Sequence, residues 1–354
     1  MPAMEIPEIP AAAVKPDSPV RSYRVLVVTN LWPTEADPGY GSFVKAQMDS
    51  LRPLGVEHDV LFVNGRESRL NYLRGIFEVR RRVRAQQYDL IHAHFGLSGW
   101  MARFQRRVPV VVSFMGDDVL GRPDRRGRIT AVGRFFQVSA RVLARRADAV
   151  IVKSRQMKER LGLESVHVIP NGVDLNLFVP MEREAARSAL GLASARKYVL
   201  FPYDRALAVK RFDLIEQAVR MANAEGDGIE ILQVSGAARD RMPLYLNAAD
   251  ALVLASYTEG SPNAVKEAMA VNLPVISVDV GDVAELIGTV EGCFIVPPRA
   301  DAIAARIVDA CRRGARTRGR DRIAAAYGEE AIARRILGVY GSVRRPSSVV
   351  SSKP

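Results

Sequence analysis

Two glutamates eight residues apart, Glu259 and Glu267, frame the stretch of this sequence best suited to chemistry. Between them run Gly260, Ser261, Pro262, Asn263 and Ala264, and an apolar segment, Ala251 to Leu254, leads in. The order strand, turn, helix is expected. Ser261 stands where an N-cap belongs, and Pro262 at the first helical position, where a missing N–H does no harm. The unpaired N–H groups of such a first turn make an anion site suited to phosphate. Carboxylates on either side would accept hydrogen bonds from hydroxyls, as ribose or glycan recognition requires. Either glutamate alone is explained by a helix terminus or a solvated helix face. The phosphate-ready turn between the two favours a ligand site.

Other polar groups fall at the ends of apolar runs. Leu90 to Gly96 reads as a strand whose alternation puts His92 and His94 on one face, His94 nearer the carboxyl end where α/β ligands bind. Arg24 to Thr29 is a short buried strand followed by Trp32-Pro33 and a loop with Gly39 and Gly41, then a helix over Phe43 to Leu54. Val110 to Phe114 is followed by Met115-Gly116-Asp117-Asp118. Residues 68–87 form a basic helix, and Arg122 to Arg146 a basic segment ending in a helix with Phe135 and Phe136. An Arg-plus-apolar composition suits a membrane surface, or a helix packed on the sheet with solvated arginines. After the turn Pro170 to Asp174 the pattern restarts: Tyr198 to Pro202 is a strand, its loop carries Asp204-Arg205 and Lys210-Arg211, and Phe212 to Ala224 is a helix. Two strand–helix runs imply two doubly wound domains facing a cleft.

The totals agree with this. A chain of 354 residues suggests two domains. Cys293 and Cys311 make neither a disulfide framework nor a metal set, and the four histidines lack metal-ligand spacing. They suit a reducing compartment and no metal site. The net charge of +12 lies mostly in the first half and admits nucleic acid, anionic lipid or a polyanionic substrate as partners. Base-stacking aromatics interleaved with arginine are sparse, so no specific nucleic acid is expected. No stretch approaches the ~18 uncharged apolar residues of a membrane span, and the first twenty residues lack a secretory signal. Cytoplasmic placement is expected, with an anionic membrane surface at its inner face as a candidate partner. The domain reading is a disordered leader over 1–22, a first doubly wound domain over 23–175, a second over 176–325, a helix over 326–342 packing near the first domain, and a disordered tail over 343–354.

Together these residues resemble retaining GT-B glycosyltransferases, specifically the glycogen-synthase-like group called family 4. Thr258 to Pro262 with Lys266 to Ala270 resembles its E-x7-E motif, Arg205 and Lys210 its basic pair, Pro170 to Asp174 its interdomain turn, and Trp32-Pro33 with Gly39 and Gly41 its acceptor-side loop. The resemblance covers roughly residues 23 to 340. It implies two Rossmann-like domains facing a central cleft, the first on the acceptor side and the second on the donor side, a nucleoside-diphosphate sugar as substrate rather than any cofactor, and a glycan or polyprenyl-linked acceptor. Arg205 and Lys210 would hold the diphosphate in place of a metal. The N–H groups around Gly260, Ser261, Pro262, Asn263 and Ala264 would bind phosphate or sugar oxygens. Glu259 would accept bonds from sugar hydroxyls near the reacting carbon, and Glu267 would bind ribose.

Two departures stand out. Many relatives carry a histidine where this chain has Met115, which has no proton to exchange. Any such role falls to His94, Asp117 or Asp118, or is absent. The family's Gly-Asp-Gly-Pro loop is replaced by Val234 to Ala238, which leaves the nucleobase pocket and donor open. A nucleotide-sugar epimerase of the same fold and a basic, non-enzymatic nucleic-acid or phosphate-binding module are the alternative functions.

Overall fold

The computed structural model describes residues 22–225 and 228–344. The expected leader and tail otherwise lie outside the described residues. The first domain alternates β1 (Tyr23–Thr29), α1 (Ser42–Asp49), β2 (Val56–Phe62), α2 (Leu70–Ala85), β3 (Leu90–His94), α3 (Gly96–Arg103), β4 (Val110–Ser113), α4 (Asp117–Leu120), α5 (Ala131–Ala144), β5 (Ala149–Val152), α6 (Arg155–Leu161) and β6 (His167–Val168). Its six strands are all parallel, in the order β2-β1-β3-β4-β5-β6. Parallel strands covered by helices on both faces must be apolar throughout, and Val25 to Val28 and Val110 to Val112 are fully buried.

The second domain contains α7 (Arg183–Leu190), β7 (Lys197–Phe201), α8 (Phe212–Ala222), β8 (Ile229–Gln233), α9 (Met242–Ala248), β9 (Ala251–Leu254), α10 (Asn263–Ala270), β10 (Val275–Ser277), α11 (Val283–Ile287), β11 (Phe294–Ile295), α12 (Ala300–Arg313) and α13 (Gly319–Ala326). Its parallel sheet runs β11-β10-β9-β7-β8. The last helix, α14 (Glu329–Val343), returns to the first domain. Its Ile332, Ile336, Val339 and Tyr340 share a core with Val25, Val27, Met48 and Ile151. The other face of that sheet is covered by α2, α3 and α5, whose Val79, Met101 and Leu143 join Val28, Ile91 and Val112.

Several boundaries differ from the sequence reading. The helix after β1 stops at Asp49, and Pro53 lies in a separate 3-10 helix, Arg52–Leu54. Helix α3 begins directly after β3 although Gly96 and Gly99 are poor helix formers. Gly99 is needed there because an added Cβ would sit 2.6 Å from Leu143 Cδ2. The second domain's glutamate-bearing helix starts at Asn263, two residues after the expected cap. Pro262 holds extended ψ 117° as N-cap, and the Ser261 hydroxyl does not cap the helix. Among the described residues no helix is long and apolar enough to cross a membrane.

Candidate functional site

The carboxyl ends of the two sheets face each other, and the walls meet where Gly116 approaches Gly260. A Cβ on Gly260 would lie 3.1 Å from the Met115 carbonyl oxygen and 3.1 Å from Met157 Sδ. Below this contact Tyr257 donates its hydroxyl to the Arg125 carbonyl at 3.1 Å, and Asn171 Nδ2 reaches Asn263 Oδ1 at 3.3 Å.

On the second domain's wall, the loop after β9 delivers Ser256 and Glu259, and the loop after β7 delivers Tyr203 and Lys210. Lys210 Nζ donates to Glu259 Oε1 at 2.5 Å, Ser256 Oγ donates to the same oxygen at 2.7 Å, and the Tyr203 ring lies 3.9 Å from Nζ. Arg205 is exposed on the same loop and makes no ion pair among the described residues. The first turn of α10 has no side-chain cap, which leaves the N–H groups of Asn263 and Ala264 directed at the cleft end of the sheet. Four residues along, Glu267 is half-buried. Burial raises its pKa, opposed by the charges of Arg239 and Lys266. Arg239 also pairs with Glu329 at 2.9 Å, so the loop after β8 and the start of α14 close this end of the wall. Burial drives the Tyr203 hydroxyl well above its ordinary value, helped by Glu259 and Glu267.

On the first domain's wall the two aspartates part. Asp118 is buried and accepts backbone hydrogen bonds from Met115, Gly116 and Gly96 at 3.0–3.1 Å, pinning the turn and the start of α3. Burial nonetheless pushes its carboxyl up to about 6. Asp117 instead lines a cavity of about 830 Å³ with Met115, Phe95, Tyr40 and Arg122. Its pKa is raised by desolvation and lowered by Arg122, 3.5 Å away, and by Lys210 across the cleft.

His94 is not in that cavity. Side-chain alternation turns both strand histidines toward α1 and α14. His94 is 0% exposed, 3.2 Å from Gln47, its ring 4.1 Å from that of His92. His92 is held by Tyr340 at 2.7 Å and Ser113 at 2.8 Å. Burial keeps both rings neutral. The residue that turns into the cleft is Phe95, at φ 78° and ψ 146°, a conformation side chains rarely adopt. Gly39 and Gly41 also serve the protein's own backbone. Gly41, at φ 67°, lies against Leu31 and Trp32, and Gly39 against the Gly236–Ala237 loop of the second domain.

Sequence reasoning missed Lys266 and Lys153. Lys266 is fully buried on α10 and donates to the Asn171 carbonyl at 2.8 Å, and burial lowers its pKa to about 8. Lys153, just after β5, reaches Gln47 at 3.4 Å and is lowered by burial to about 7. A lysine in a helix or at a strand end reads as solvated, and nothing local marks these two otherwise. Among the described residues no group of three or more His, Cys, Asp or Glu side chains could hold a metal.

Two parallel-sheet domains closing on a cleft at their carboxyl ends, with an anion-ready turn on one wall, define a GT-B glycosyltransferase. A sucrose-phosphate synthase from Thermosynechococcus elongatus superposes with a TM-score of 0.72, covering 91% of this chain and 98% of that one at 21% identity. The Anabaena protein Alr3699/HepE, solved with UDP, gives a TM-score of 0.64 over 90% of this chain and 100% of its own at 17% identity. Residues 20–172 match the glycosyl transferase 4-like domain and residues 213–313 the glycosyl transferases group 1 model, and the chain belongs to this family of glycosyltransferases. It is similar to a putative teichuronic acid biosynthesis glycosyltransferase, TuaC, of Bacillus subtilis, 27% identical over 80% of this chain and 88% of the relative. It is also similar to a D-inositol 3-phosphate glycosyltransferase of Geodermatophilus obscurus, 27% identical over 75% of this chain and 69% of the relative.

Proposed function

We propose that this glycosyltransferase moves a sugar from a nucleoside-diphosphate sugar, with retention of anomeric configuration and without a metal, to a glycan or polyprenyl-linked acceptor in cell-surface polysaccharide or glycoconjugate synthesis. One observation carries the reading: the Lys210–Glu259 pair beside the uncapped first turn of α10, with Asp117 facing it across the cleft. Lys210 and Arg205 bind the diphosphate and stabilise the charge it gains as the sugar leaves. The N–H groups at the start of α10 and the Glu259 carboxylate hold phosphate and sugar oxygens, and Glu267 accepts from the ribose hydroxyls. The bond from the anomeric carbon to the diphosphate oxygen breaks, and the acceptor hydroxyl bonds to that carbon on the same face. The hydroxyl proton passes to the departing diphosphate. His94, buried against Gln47, has no part in these steps. The UDP and UDP-glucose complexes of Alr3699/HepE and the teichuronic acid name of the Bacillus relative support a nucleotide donor and a surface polymer.

Thermal shifts against UDP-, GDP- and ADP-sugars test donor binding, since a bound donor raises Tm by mass action. The matching sugar nucleotide is then hydrolysed slowly without acceptor, and Lys210→Ala or Glu259→Ala abolishes this. Full turnover in both variants refutes the assignment. A new sugar nucleotide formed from donor alone, seen by NMR, would instead make the chain an epimerase.

A further inference from the structure

The first domain shows solvent an unusual face. On α2, Leu70, Leu73, Arg74, Phe77, Arg80, Arg81 and Arg84 follow the helical repeat along one exposed stripe. Leu70 is 61% exposed and Phe77 70%. On α5 the stripe is Val132, Phe135, Val138, Arg141 and Arg145, with Phe135 65% exposed. Each helix has its exposed apolar residues in the first two turns and most of its arginines beyond, with Arg74 and Arg134 standing among the apolar residues. Helix α3 lies between them: Met101 packs at Gly75 of α2, and Trp100 Nε1 donates to Ser139 of α5 at 2.8 Å. Arg80 reaches from α2 to the carbonyl of Phe104 at the end of α3, and Phe104 is exposed too. The three helices therefore present one layer with a continuous outer face. Acidic groups are nearly absent from it: α5 has none, and Glu78 of α2 is engaged by Arg81 and Arg82.

The cavity of the acceptor wall opens at the apolar ends of these helices. Its wall is largely aliphatic and aromatic, with Leu31, Phe95, Leu97 and Phe136, and its charged lining residues are Arg66, Arg69, Arg122 and the single carboxylate Asp117. Such a lining suits an amphiphile with an anionic head.

We infer that the outer face of α2, α3 and α5 docks on an anionic lipid surface, placing the cavity mouth against the bilayer where a membrane-borne acceptor enters. Exposed Leu, Phe and Val sink into the interface, and the arginines behind them meet lipid phosphates. Charge favours this occupant over a second copy of the chain, because a two-fold contact would set the arginine rows against each other. The acceptor clause rests on the transferase reading; the docking clause does not.

The test is co-sedimentation of the full chain with vesicles of phosphatidylcholine and phosphatidylglycerol in equal parts, against phosphatidylcholine alone. Binding to the mixed vesicles should exceed binding to the neutral ones roughly tenfold and fall as salt is raised. Phe77→Asp and Val138→Asp, outside the cavity, should each weaken it about tenfold. The thermal shift with UDP and acceptor-free turnover should stay unchanged. Should the aspartate variants misfold, Arg74→Gln with Arg84→Gln reads the same face through charge alone. A chain left in the supernatant with both vesicle types, or variants that bind like the parent, overturns the inference. So does concentration-dependent dimerisation that these substitutions abolish. Vesicle binding by a chain that turns over no sugar nucleotide upholds docking and refutes the transferase reading.

Discussion

Replacing Lys210 by methionine keeps the side chain's apolar stem to the ε position and removes its charge. Its Nζ lies 2.5 Å from Glu259 Oε1, and the two side chains are 15% and 13% exposed. At an effective dielectric near 20, opposite charges about 4 Å apart attract by about 4 kcal/mol, most of it offset by desolvation of both ions. Removing the cation leaves Glu259 half-compensated, held by Ser256 Oγ. Lys210→Met should therefore destabilise the chain by about 2 kcal/mol and Glu259→Gln by a similar amount. The double variant should lose less than the sum, with a coupling of about 1–2 kcal/mol in a double-mutant cycle from urea unfolding. Turnover separates structure from chemistry. If the ammonium neutralises the departing diphosphate, Lys210→Met lowers kcat by about 10²–10³, roughly 3–4 kcal/mol, more than the fold loses. Additivity within about 0.3 kcal/mol, or kcat within about threefold of the parent, would refute this account of the pair.

Gly260→Ala should lower kcat/KM about tenfold with little change in Tm, because its Cβ presses on the Met115 carbonyl, which belongs to a turn Asp118 holds rigid; parent-like kinetics would show that the walls need not approach so closely. Asp250→Ala should cost about 3–5 kcal/mol in chemical unfolding. That carboxylate is buried and accepts from Arg183 at 2.9 Å, Arg187 at 2.7 Å and the Tyr198 N–H at 2.7 Å; a loss below about 1 kcal/mol would deny the network its structural role. Burial lowers Lys153 to about 7, so above that pH the unfolded chain binds more protons than the folded one, up to the ordinary lysine value. Parent stability should accordingly rise with pH over that window. Lys153→Met should be at least as stable at pH 7 and lose this advantage by about pH 10, read from urea midpoints; a difference independent of pH would mean that Lys153 stays charged in the fold.

What was legible in the sequence was what locality dictates. Buried parallel strands are apolar from end to end, so β1, β4, β5 and β9 stand out of the sequence, and Glu259 after β9 and Glu267 on α10 are placed by the turn between strand and helix. Helices built from small or charged residues, such as α3, α7 and α13, carry little of that signal, and their faces are decided by neighbours distant in the chain. His94 was misplaced for a similar reason: alternation gives its face relative to His92, but which face meets the cleft depends on α1 and α14. Phe95 reaches the cavity only through a backbone conformation that sequence does not advertise. Proximity of Asp117 to Lys210, and the burial of Lys153 and Lys266, arise from the meeting of two domains.

The return of α14 to the first domain also governs when that domain can finish folding. His92 finds its Tyr340 partner 248 residues downstream, and Ile332, Ile336 and Val339 fill the face of a sheet made from residues 23–168. During synthesis the first sheet emerges early with that face open, and waits for the whole second domain before its core is sealed. Helix α14 thus acts as a clasp: the first domain's wall of the cleft reaches its final form only after the second domain's wall beside it has been made.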